Sequence, residues 1–463
     1  MTSTAELLVN VGVPGAEAAR LATVPTLSEG AEMARDFEPL SPWLMASSEL
    51  LHRLPRKPQR SAPEQAAAAA LLADARRARE SFAQRHAAAI YHRLTAGRTR
   101  LVRLRELVYA AARELPGLVP TEAEVARERA LLQMNQDGAQ IDQGILLAHL
   151  FADRASGLHL LHAMAQPTEA ALALLGQLRR TRRVQLAPMT LEREGTLGRI
   201  TFHHQAWLNA EDDEYQQALE TLVDLVLLDD QIRVGVLRGA PMEKAKYLGR
   251  RVFGSGINLT LLYRGQISLV DFMLTRETGP LDKIYRGLAR PEYTGSEIED
   301  RVEKPFIAAV DAFAIGGHCQ MLLILDRVIA ERGSYFNLPA RKEGIIPGLA
   351  NLRLPRFVGE RATRQGIFFN RAFAAESPEG ALLCDEVLPG EQLDAAVTAA
   401  ALELTGAGPT SLVANRRALR VGAEPIDIFR SYLATYAREQ AFCLYSPALI
   451  DNLVRNWNAD RRR

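Results

Sequence analysis

Two short segments of the sequence combine small residues in a way that suits the binding of a ligand oxygen. They are Phe253–Leu259 (FGSGINL) and Asp311–Gln320 (DAFAIGGHCQ). Glycine and serine at such positions let a backbone N–H approach a ligand without an intervening side chain. Two donors that converge from separate strand-to-helix turns would form an oxyanion hole. Either segment alone is more typical of an ordinary tight turn.

Length and composition narrow the class of protein. The chain has 463 residues, which predicts two domains, and its 48% hydrophobic and 24% charged content is typical of a soluble globular protein. With 56 basic and 55 acidic residues, the net charge of +1 predicts no general attraction to nucleic acid or an anionic membrane. Three scattered cysteines favour reduced thiols over disulfides or a zinc site. Without a signal-like N-terminus or an apolar span, we expect a cytoplasmic protein.

The pattern along the chain changes near residue 190. Before it, alanine-, leucine- and glutamate-rich stretches with capping-box signals at Ser61 and Thr121 predict a helical domain, residues 1–190. Residues 191–463 are predicted to form the second domain, of the α/β class. There, short apolar strands at 200–202, 233–239 and 305–310 alternate with helices predicted at 208–228 and 321–326. This alternation favours parallel pairing of the strands.

The order of these motifs resembles the crotonase (enoyl-CoA hydratase/isomerase) superfamily. The resemblance rests on the two glycine turns, on Leu208-Asn209-Ala210, and on Pro339 followed by Gly344-Ile345-Ile346-Pro347-Gly348. It extends from about Arg199 to the C-terminus. It implies a spiral core of ββα units behind a helical N-terminal domain. C-terminal oligomerisation helices, here 391–404 and 428–444, and a homo-oligomer, a trimer or hexamer, are also implied.

Mapped by motif position, the resemblance makes the backbone N–H groups of Ile257 and Gly317 the oxyanion donors for an acyl-CoA thioester. Hydratases of the superfamily add two glutamates that activate water. This sequence has Gln320 at the first of those positions and Ala340 at the second. Glutamine does not exchange protons near neutral pH and alanine has no polar group, so we expect no alkene hydration.

An oxyanion hole without that acid–base pair suits a substrate whose Cα proton is already acidic, such as an arylacetyl-CoA. The chain resembles the superfamily's arylacetyl-CoA dioxygenase branch in its helical extension and in Gln320. This resemblance implies a cofactor- and metal-independent oxygenation of (3,5-dihydroxyphenyl)acetyl-CoA to 3,5-dihydroxyphenylglyoxylate and CoA, in glycopeptide-antibiotic (dihydroxyphenylglycine) biosynthesis. Two alternatives stay open: another enolate-stabilising crotonase, such as a thioesterase, isomerase or decarboxylase, and a non-catalytic acyl-CoA-binding scaffold.

Four side chains are candidates for substrate contact. Glu211 follows Leu208-Asn209-Ala210, and its alternative role is to complement the dipole of the helix predicted there. Arg276 lies after the first turn, where the superfamily builds its acyl pocket, although a solvated helix arginine is equally consistent. If both point inward, they would pair and bind the ring hydroxyls. Gln320 is expected to contact substrate or oxygen. His318 is a second choice of base, after a packed turn residue.

The resemblance also indicates where coenzyme A would bind. The first turn and the loop before it hold the adenine and pantetheine in the superfamily, and basic residues in that loop suit phosphates. The expected CoA-binding residues are Gln205, Lys244, Ala245, Lys246, Tyr247, Ser255, Gly256, Ile257 and Asn258. A solvated loop is the alternative. The incomplete glycine fingerprint and the scattered histidines predict no nucleotide cofactor and no metal.

Overall fold

The computed structural model describes residues 2–30, 32–295, 301–406 and 408–458. The chain up to Thr181 is helical. Two helices begin at expected signals, since Ser61 and Thr121 each form a complete capping box at the start of a helix. The helices of this part are α1 Thr4–Asn10, α2 Gly15–Ala22, α3 Met33–Arg53, α4 Ala62–Leu94, α5 Leu104–Glu114, α6 Glu122–Arg129, α7 Ala139–Ala152, α8 Arg154–Met164 and α9 Glu169–Thr181.

The strands follow from residue 183. They are β1 Arg183–Leu186, β2 Met189–Glu194, β3 Leu197–Phe202, β4 Val234–Gly239, β5 Leu288–Ala289, β6 Arg301–Val302, β7 Phe306–Val310, β8 Phe313–Ile315, β9 Arg327–Glu331, β10 Tyr335–Asn337, β11 Phe373–Ala374 and β12 Glu386–Leu388. Since β1 precedes residue 190 and pairs with β2, the sheet begins slightly before the predicted domain boundary. That boundary stays a prediction.

Seven strands form the main sheet in the order β1-β2-β3-β4-β7-β9-β12. The first three pair antiparallel, and β3 through β12 pair parallel. Strands β4 and β7 are buried along their whole length, as parallel strands covered on both faces must be. A separate, smaller sheet, in the order β11-β10-β8, includes the segment that leads into the second glycine turn.

The helices between and after these strands cover the sheet and return to the helical part. They are α10 Asp213–Leu228, α11 Leu259–Tyr263, α12 Thr275–Thr278, α13 Pro280–Arg286, α14 Gly317–Leu322, α15 Ala340–Glu343, α16 Ala350–Phe369, α17 Leu393–Gly406, α18 Pro409–Ala423, α19 Ile426–Cys443 and α20 Pro447–Asn456, with a π-helix at Leu269–Leu274 directly before α12. In the described ranges, no helix combines the length and apolar character needed to cross a membrane.

Helix α19 packs against α7, far away in sequence. A Cβ placed on Gly144 of α7 would lie 2.5 Å from Ala441 Cβ and 2.7 Å from Ala437 O, so the two helix backbones approach as closely as glycine allows. One continuous apolar core joins these helices with the π-helix. Helix α19 is therefore anchored by the N-terminal helical part of the chain.

Two helix boundaries predicted from the sequence are wrong. The helix expected at 321–326 begins earlier, at Gly317, because Gly316 of the second glycine turn is its N-cap, and it ends at Leu322. Leu208 and Asn209 were expected to begin a helix, but both have left-handed backbone angles, with φ of +53° and +59°. Asn209 instead ties the loop together, accepting from His204 N at 2.8 Å and donating to Val252 O at 2.7 Å. Helix α10 begins at Asp213, after Asp212 caps its first turn.

Candidate active site

The two glycine turns lie against each other. Gly254 donates to Phe313 O at 3.3 Å and its own carbonyl accepts from Ile315 N at 3.0 Å, so the segments run side by side in parallel. Gly256 and Gly316 both have positive φ, +80° and +55°, which glycine adopts without strain. A Cβ on Gly256 would come within 3.2 Å of Gly316 Cα. The turns therefore touch backbone to backbone.

The N–H groups of Ile257 and Gly317 are both free to bind a ligand. The backbone N–H of Glu211 donates to Gly256 O at 2.7 Å, and the backbone carbonyl of Glu211 accepts from Asn258 N at 2.8 Å. In this parallel bridge the N–H of Ile257 points away from Glu211. Gly317 is the first residue of α14, where an N–H has no partner within the helix. Within the described residues neither N–H has a hydrogen-bond acceptor. This is the arrangement that an oxyanion hole requires.

Both turns border a narrow cavity of about 30 Å³. A volume of this size holds roughly one or two water molecules, so the surrounding groups face one small space. The lining residues are Glu211, Ile257, Phe272, Met273, Arg276, Glu277, Gly316, Gly317, Gln320, Leu338, Ala340, Glu343, Ile345, Ile346, Pro347, Gly348 and Tyr436. All five residues expected to be catalytic or to bind the acyl group are among them.

Arg276 is the centre of a buried polar cluster on one wall of the cavity. Its Nε donates to Glu211 Oε2 at 2.7 Å, and both side chains are at least 96% buried. Its Nη1 donates to Glu277 Oε1 at 2.8 Å and to Gln320 Oε1 at 2.9 Å. Its Nη2 donates to the carbonyl of Gly317 at 2.5 Å. One guanidinium thus fixes two carboxylates, one amide and the second glycine turn.

The cluster sets the charges of the cavity wall. Burial favours the neutral form of Glu211, but the positive charge of the nearby Arg276 outweighs it and lowers the pKa of this carboxyl. Burial raises the pKa of Glu277 despite its contact with Arg276. Burial opposes the charge of Arg276 as well, and the two carboxylates nevertheless raise its pKa. Glu211 and Arg276 are therefore a permanent ion pair at neutral pH.

Gln320 is oriented by the same contact. Because its Oε1 accepts from Arg276, its Nε2 is left as a donor. That Nε2 has no acceptor in the part of the chain that is described, and Gln320 lines the cavity. The amide can therefore donate a hydrogen bond to a bound molecule but cannot act as a base.

His318 does not face the cavity. It is fully buried, its Nε2 lies 2.8 Å from Tyr215 Oη, and the N–H of Gly256 donates to its Nδ1 at 3.3 Å. Burial lowers the pKa of His318 to about 4. The ring is a neutral support for the first turn, which matches the packed turn residue preferred from the sequence.

The residues expected to bind CoA lie outside the cavity, apart from Ile257. Gln205 donates to Pro241 O at 2.9 Å and accepts from Glu243 N at 3.0 Å, which holds the basic loop. Lys244, Ala245 and Lys246 are exposed. Their role in CoA binding stays a prediction.

The remaining CoA-binding candidates have structural contacts. Tyr247 packs edge-on against Phe313, with 5.7 Å between the ring centres. Ser255 donates to Trp207 O at 3.0 Å, and Asn258 caps α11 by accepting from Leu261 N at 3.1 Å. These contacts fix the loop beside the first turn.

Three cavity residues with polar side chains were missed from the sequence: Glu277, Glu343 and Tyr436. Glu277 follows Arg276 directly, and Tyr436 arrives on α19, which no motif connects to the turns. Glu343 lies one helical turn after Ala340, so both residues share a face of α15. The i+3 spacing from the alanine that replaces the second hydratase glutamate could have identified Glu343.

Among the described residues, no three or more histidine, cysteine, aspartate or glutamate side chains are grouped as metal ligands would be. The expectation of a cofactor-free reaction stays a prediction.

Comparison with known proteins identifies the class to which this fold and site belong. The family model for enoyl-CoA hydratase/isomerase matches residues 192–430, slightly more than half of the chain. The chain belongs to this family, the crotonases.

The most informative relative is the (3,5-dihydroxyphenyl)acetyl-CoA 1,2-dioxygenase of Amycolatopsis orientalis. It is 45% identical over 426 residues, which cover 92% of this chain and 96% of the relative. The short-chain-enoyl-CoA hydratase of Clostridium acetobutylicum is 24% identical over 52% of this chain and 84% of its own. Among solved structures, Pseudomonas aeruginosa OdaA covers 59% of this chain and 99% of its own, with 21% identity and a TM-score of 0.49. The similarity to the dioxygenase, unlike that to the hydratase, includes the helical part.

Proposed function

We propose that this protein is a cofactor- and metal-independent dioxygenase that converts (3,5-dihydroxyphenyl)acetyl-CoA and dioxygen to 3,5-dihydroxyphenylglyoxylate and CoA. The observation that carries the proposal is the cavity itself, where two free N–H donors lie beside a buried Arg276 cluster and Ala340 replaces a hydratase glutamate. The 45% identity to a dioxygenase of that name supports the choice of substrate.

Catalysis would begin at the two turns. The thioester oxygen accepts from Ile257 N–H and Gly317 N–H, which stabilise the negative charge that develops when the Cα proton leaves. Each donor contributes roughly 3–4 kcal/mol to such a transition state in a site closed to water. The aryl ring shares the charge, so the resulting enolate is electron-rich.

The enolate transfers one electron to dioxygen, and the two radicals combine to form a Cα peroxide. The distal peroxide oxygen then attacks the thioester carbon and expels the CoA thiolate, and cleavage of the O–O bond yields the α-keto acid. The donor Nε2 of Gln320 is placed to bind oxygen or peroxide, and Glu211 with Arg276 to bind the ring hydroxyls.

The proposal further places the protein in dihydroxyphenylglycine formation for glycopeptide antibiotics, as a cytoplasmic homo-oligomer. CoA would lie along the loop 243–247 and the first turn, with the exposed Lys244 and Lys246 near its phosphates. These statements rest on the relative and on the family resemblance.

Simultaneous measurement of oxygen uptake and free thiol tests the proposal. Chelator-treated protein with (3,5-dihydroxyphenyl)acetyl-CoA should consume one O2 for each CoA released. CoA release without oxygen uptake would contradict the proposal and indicate a thioesterase. Tight binding without turnover would indicate an acyl-CoA-binding scaffold, and activity restored only by added metal would contradict the cofactor-free mechanism.

A further inference from the structure

The proposed reaction has a proton requirement that the two turns do not meet. The overall change, ArCH2–CO–SCoA + O2 → ArCO–COO⁻ + CoASH + H⁺, removes both protons from Cα and returns one of them to the thiolate. Backbone N–H groups stabilise an enolate but accept no proton. A base beside Cα must therefore act in the first step and again when the O–O bond breaks.

Three carboxyl groups line the cavity, and two of them are held by Arg276. Glu211 has contacts from Arg276 to both its oxygens, at 2.7 and 3.2 Å. Glu277 accepts from the same guanidinium at 2.8 Å. The carboxylate of Glu343 has no hydrogen bond or ion pair with any described residue. Among the carboxyl groups that the described residues contribute to the cavity wall, it is the one that makes no contact with Arg276.

The position of Glu343 follows from the short helix α15, Ala340–Glu343. Residues three apart lie on the same face of a helix, and both ends of α15 line the cavity. The first end, Ala340, occupies the place of a hydratase glutamate. The chain thus lacks a carboxylate at that position and has one a single turn later, facing the same space as Ile257 and Gly317.

We propose that Glu343 is the general base that removes the Cα protons. This assignment rests on the proposed dioxygenase function. The Glu343 carboxylate takes the first proton as the C–H electron pair moves into the enolate. After oxygen has added and the peroxide has expelled the CoA thiolate, protonated Glu343 gives this proton to the sulfur. The regenerated carboxylate takes the second Cα proton as the O–O bond breaks, and then releases it to solvent.

The surroundings of Glu343 suit this cycle. Burial raises the pKa of Glu343 to about 7, opposed weakly by Lys342, so the group exchanges protons readily near neutral pH. The charged groups facing it are Glu211, Arg276 and Glu277 across the cavity, with Arg341 and Lys342 exposed on its own helix. From α20, the neutral Asn452 contacts its backbone carbonyl at 3.5 Å. Since Glu343 stays partly exposed, its proton has a route to water.

Anaerobic exchange of the Cα protons into D2O tests the base apart from oxygenation. The probe is (3,5-dihydroxyphenyl)acetyl-CoA or phenylacetyl-CoA, and NMR measures the loss of its Cα proton signal. The wild type should exchange both Cα protons. Glu343→Gln should slow exchange at least about 100-fold, the usual contribution of a general base, while CoA-ester affinity changes little. Glu343→Asp should recover part of the rate. The control is Glu360→Gln, an exposed glutamate on α16, which should exchange as the wild type does.

Other outcomes overturn the assignment. These are exchange at the wild-type rate in Glu343→Gln, loss of exchange in Glu277→Gln with Glu343→Gln unaffected, and no exchange in the wild type. Circular dichroism and the affinity for the CoA ester show whether each variant is folded. If Glu343→Gln is not folded, the exchange rate of Glu343→Asp tests the assignment instead. If the Cα protons exchange through Glu343 but no oxygen is consumed in air, the proposed dioxygenase function would be wrong and the assignment of Glu343 as the base would stand.

Discussion

Two cavities in this molecule differ in size and in what their walls leave unpaired. The large one, here the helical cleft, has a volume of about 960 Å³ and is lined by helices of the N-terminal part. Several of its charged side chains pair with each other, as in Arg60 with Asp137 at 2.7 Å and Arg79 with Asp142 at 3.2 Å. The cavity at the glycine turns measures about 30 Å³, yet it contains two N–H donors and a carboxylate without partners in the described chain.

The difference between the two cavities indicates that unpaired polar groups, rather than volume, mark a site able to bind and transform a ligand. Folding pairs nearly all buried polar groups, because an unpaired one costs roughly 1–3 kcal/mol. Groups left unpaired beside a cavity keep that cost until a ligand binds them. In the helical cleft Arg60 and Arg79 already pair with Asp137 and Asp142, whereas the small cavity has two free backbone N–H donors to offer to a ligand.

The largest effect is expected from Arg276→Ala. This change leaves Glu211 buried without its partner and should lower the free energy of unfolding by about 3–5 kcal/mol. It should also abolish measurable turnover, since the same guanidinium holds Gln320 and the Gly317 carbonyl. Urea unfolding and kcat/KM on the folded fraction measure the two effects separately.

Arg79→Ala is the matched control from the helical cleft. It removes a buried arginine whose partner is Asp142, so the stability loss should be comparable. Its kcat/KM per folded molecule should match the wild type. If Arg79→Ala reduced kcat/KM as Arg276→Ala does, the contrast between the two cavities would be wrong.

A second, smaller effect is expected from Gly317→Ala. The new Cβ would lie 2.2 Å from Glu211 Oε2 and 2.8 Å from Arg276 Nη2, so this ion pair or the turn must shift. Displacement of one oxyanion donor should lower kcat about 100- to 1000-fold. Steady-state oxygen uptake measures it.

The same substitution should be harmless in the helical part. Gly176 lies in α9, where the nearest atom to a new Cβ is the flexible end of Arg180 at 3.5 Å. Gly176→Ala should therefore stabilise the protein by roughly 0.5–1 kcal/mol with unchanged kcat. A loss of activity in Gly176→Ala, or full activity in Gly317→Ala, would contradict the contrast between the helical part and the cavity at the glycine turns.

The smallest effect concerns pH and compares two carboxyls of one cavity. The pKa of Glu211 is lowered in the folded protein, so its contribution to stability is present above about pH 4.5 and is lost as the pH falls. The pKa of Glu343 is raised to about 7, so stability is lost as the pH rises from 4.5 through 7. Thermal melting at pH 5 and 8 should show Glu343→Gln gaining stability relative to wild type at pH 8 only. Equal shifts at both pH values would contradict the raised pKa.

Much of this architecture could be predicted from local sequence signals. The capping boxes at Ser61 and Thr121 and the strands at β4 and β7 depend on residues close in sequence, and the structure confirms them. The loop at Leu208 was misjudged, because the left-handed turn there is held by Asn209 reaching Val252, over 40 residues away. Contacts of that range leave no periodicity in the sequence.

The candidate site, like the fold, was predictable only where local sequence motifs mark it. Both oxyanion turns follow from a motif, and Arg276 with Glu211 from the superfamily pattern. Tyr436 could not be found, because only the docking of α19 brings it to the cavity. Glu277 and Glu343 required knowledge of which helix face turns inward, which short helices such as α12 and α15 do not reveal through periodicity.

The close approach at Gly144 has a consequence for the order of events during synthesis. The residues that line the small cavity are spread along the chain from Glu211 to Tyr436 on α19. Tyr432, also on α19, donates to Gly348 O at 2.5 Å. Helix α19 reaches this place by packing on α7, which the ribosome completes some 280 residues earlier. A nascent chain therefore carries both glycine turns long before the cavity can close. Such distant contacts form slowly, so catalytic competence should be among the last properties the protein acquires.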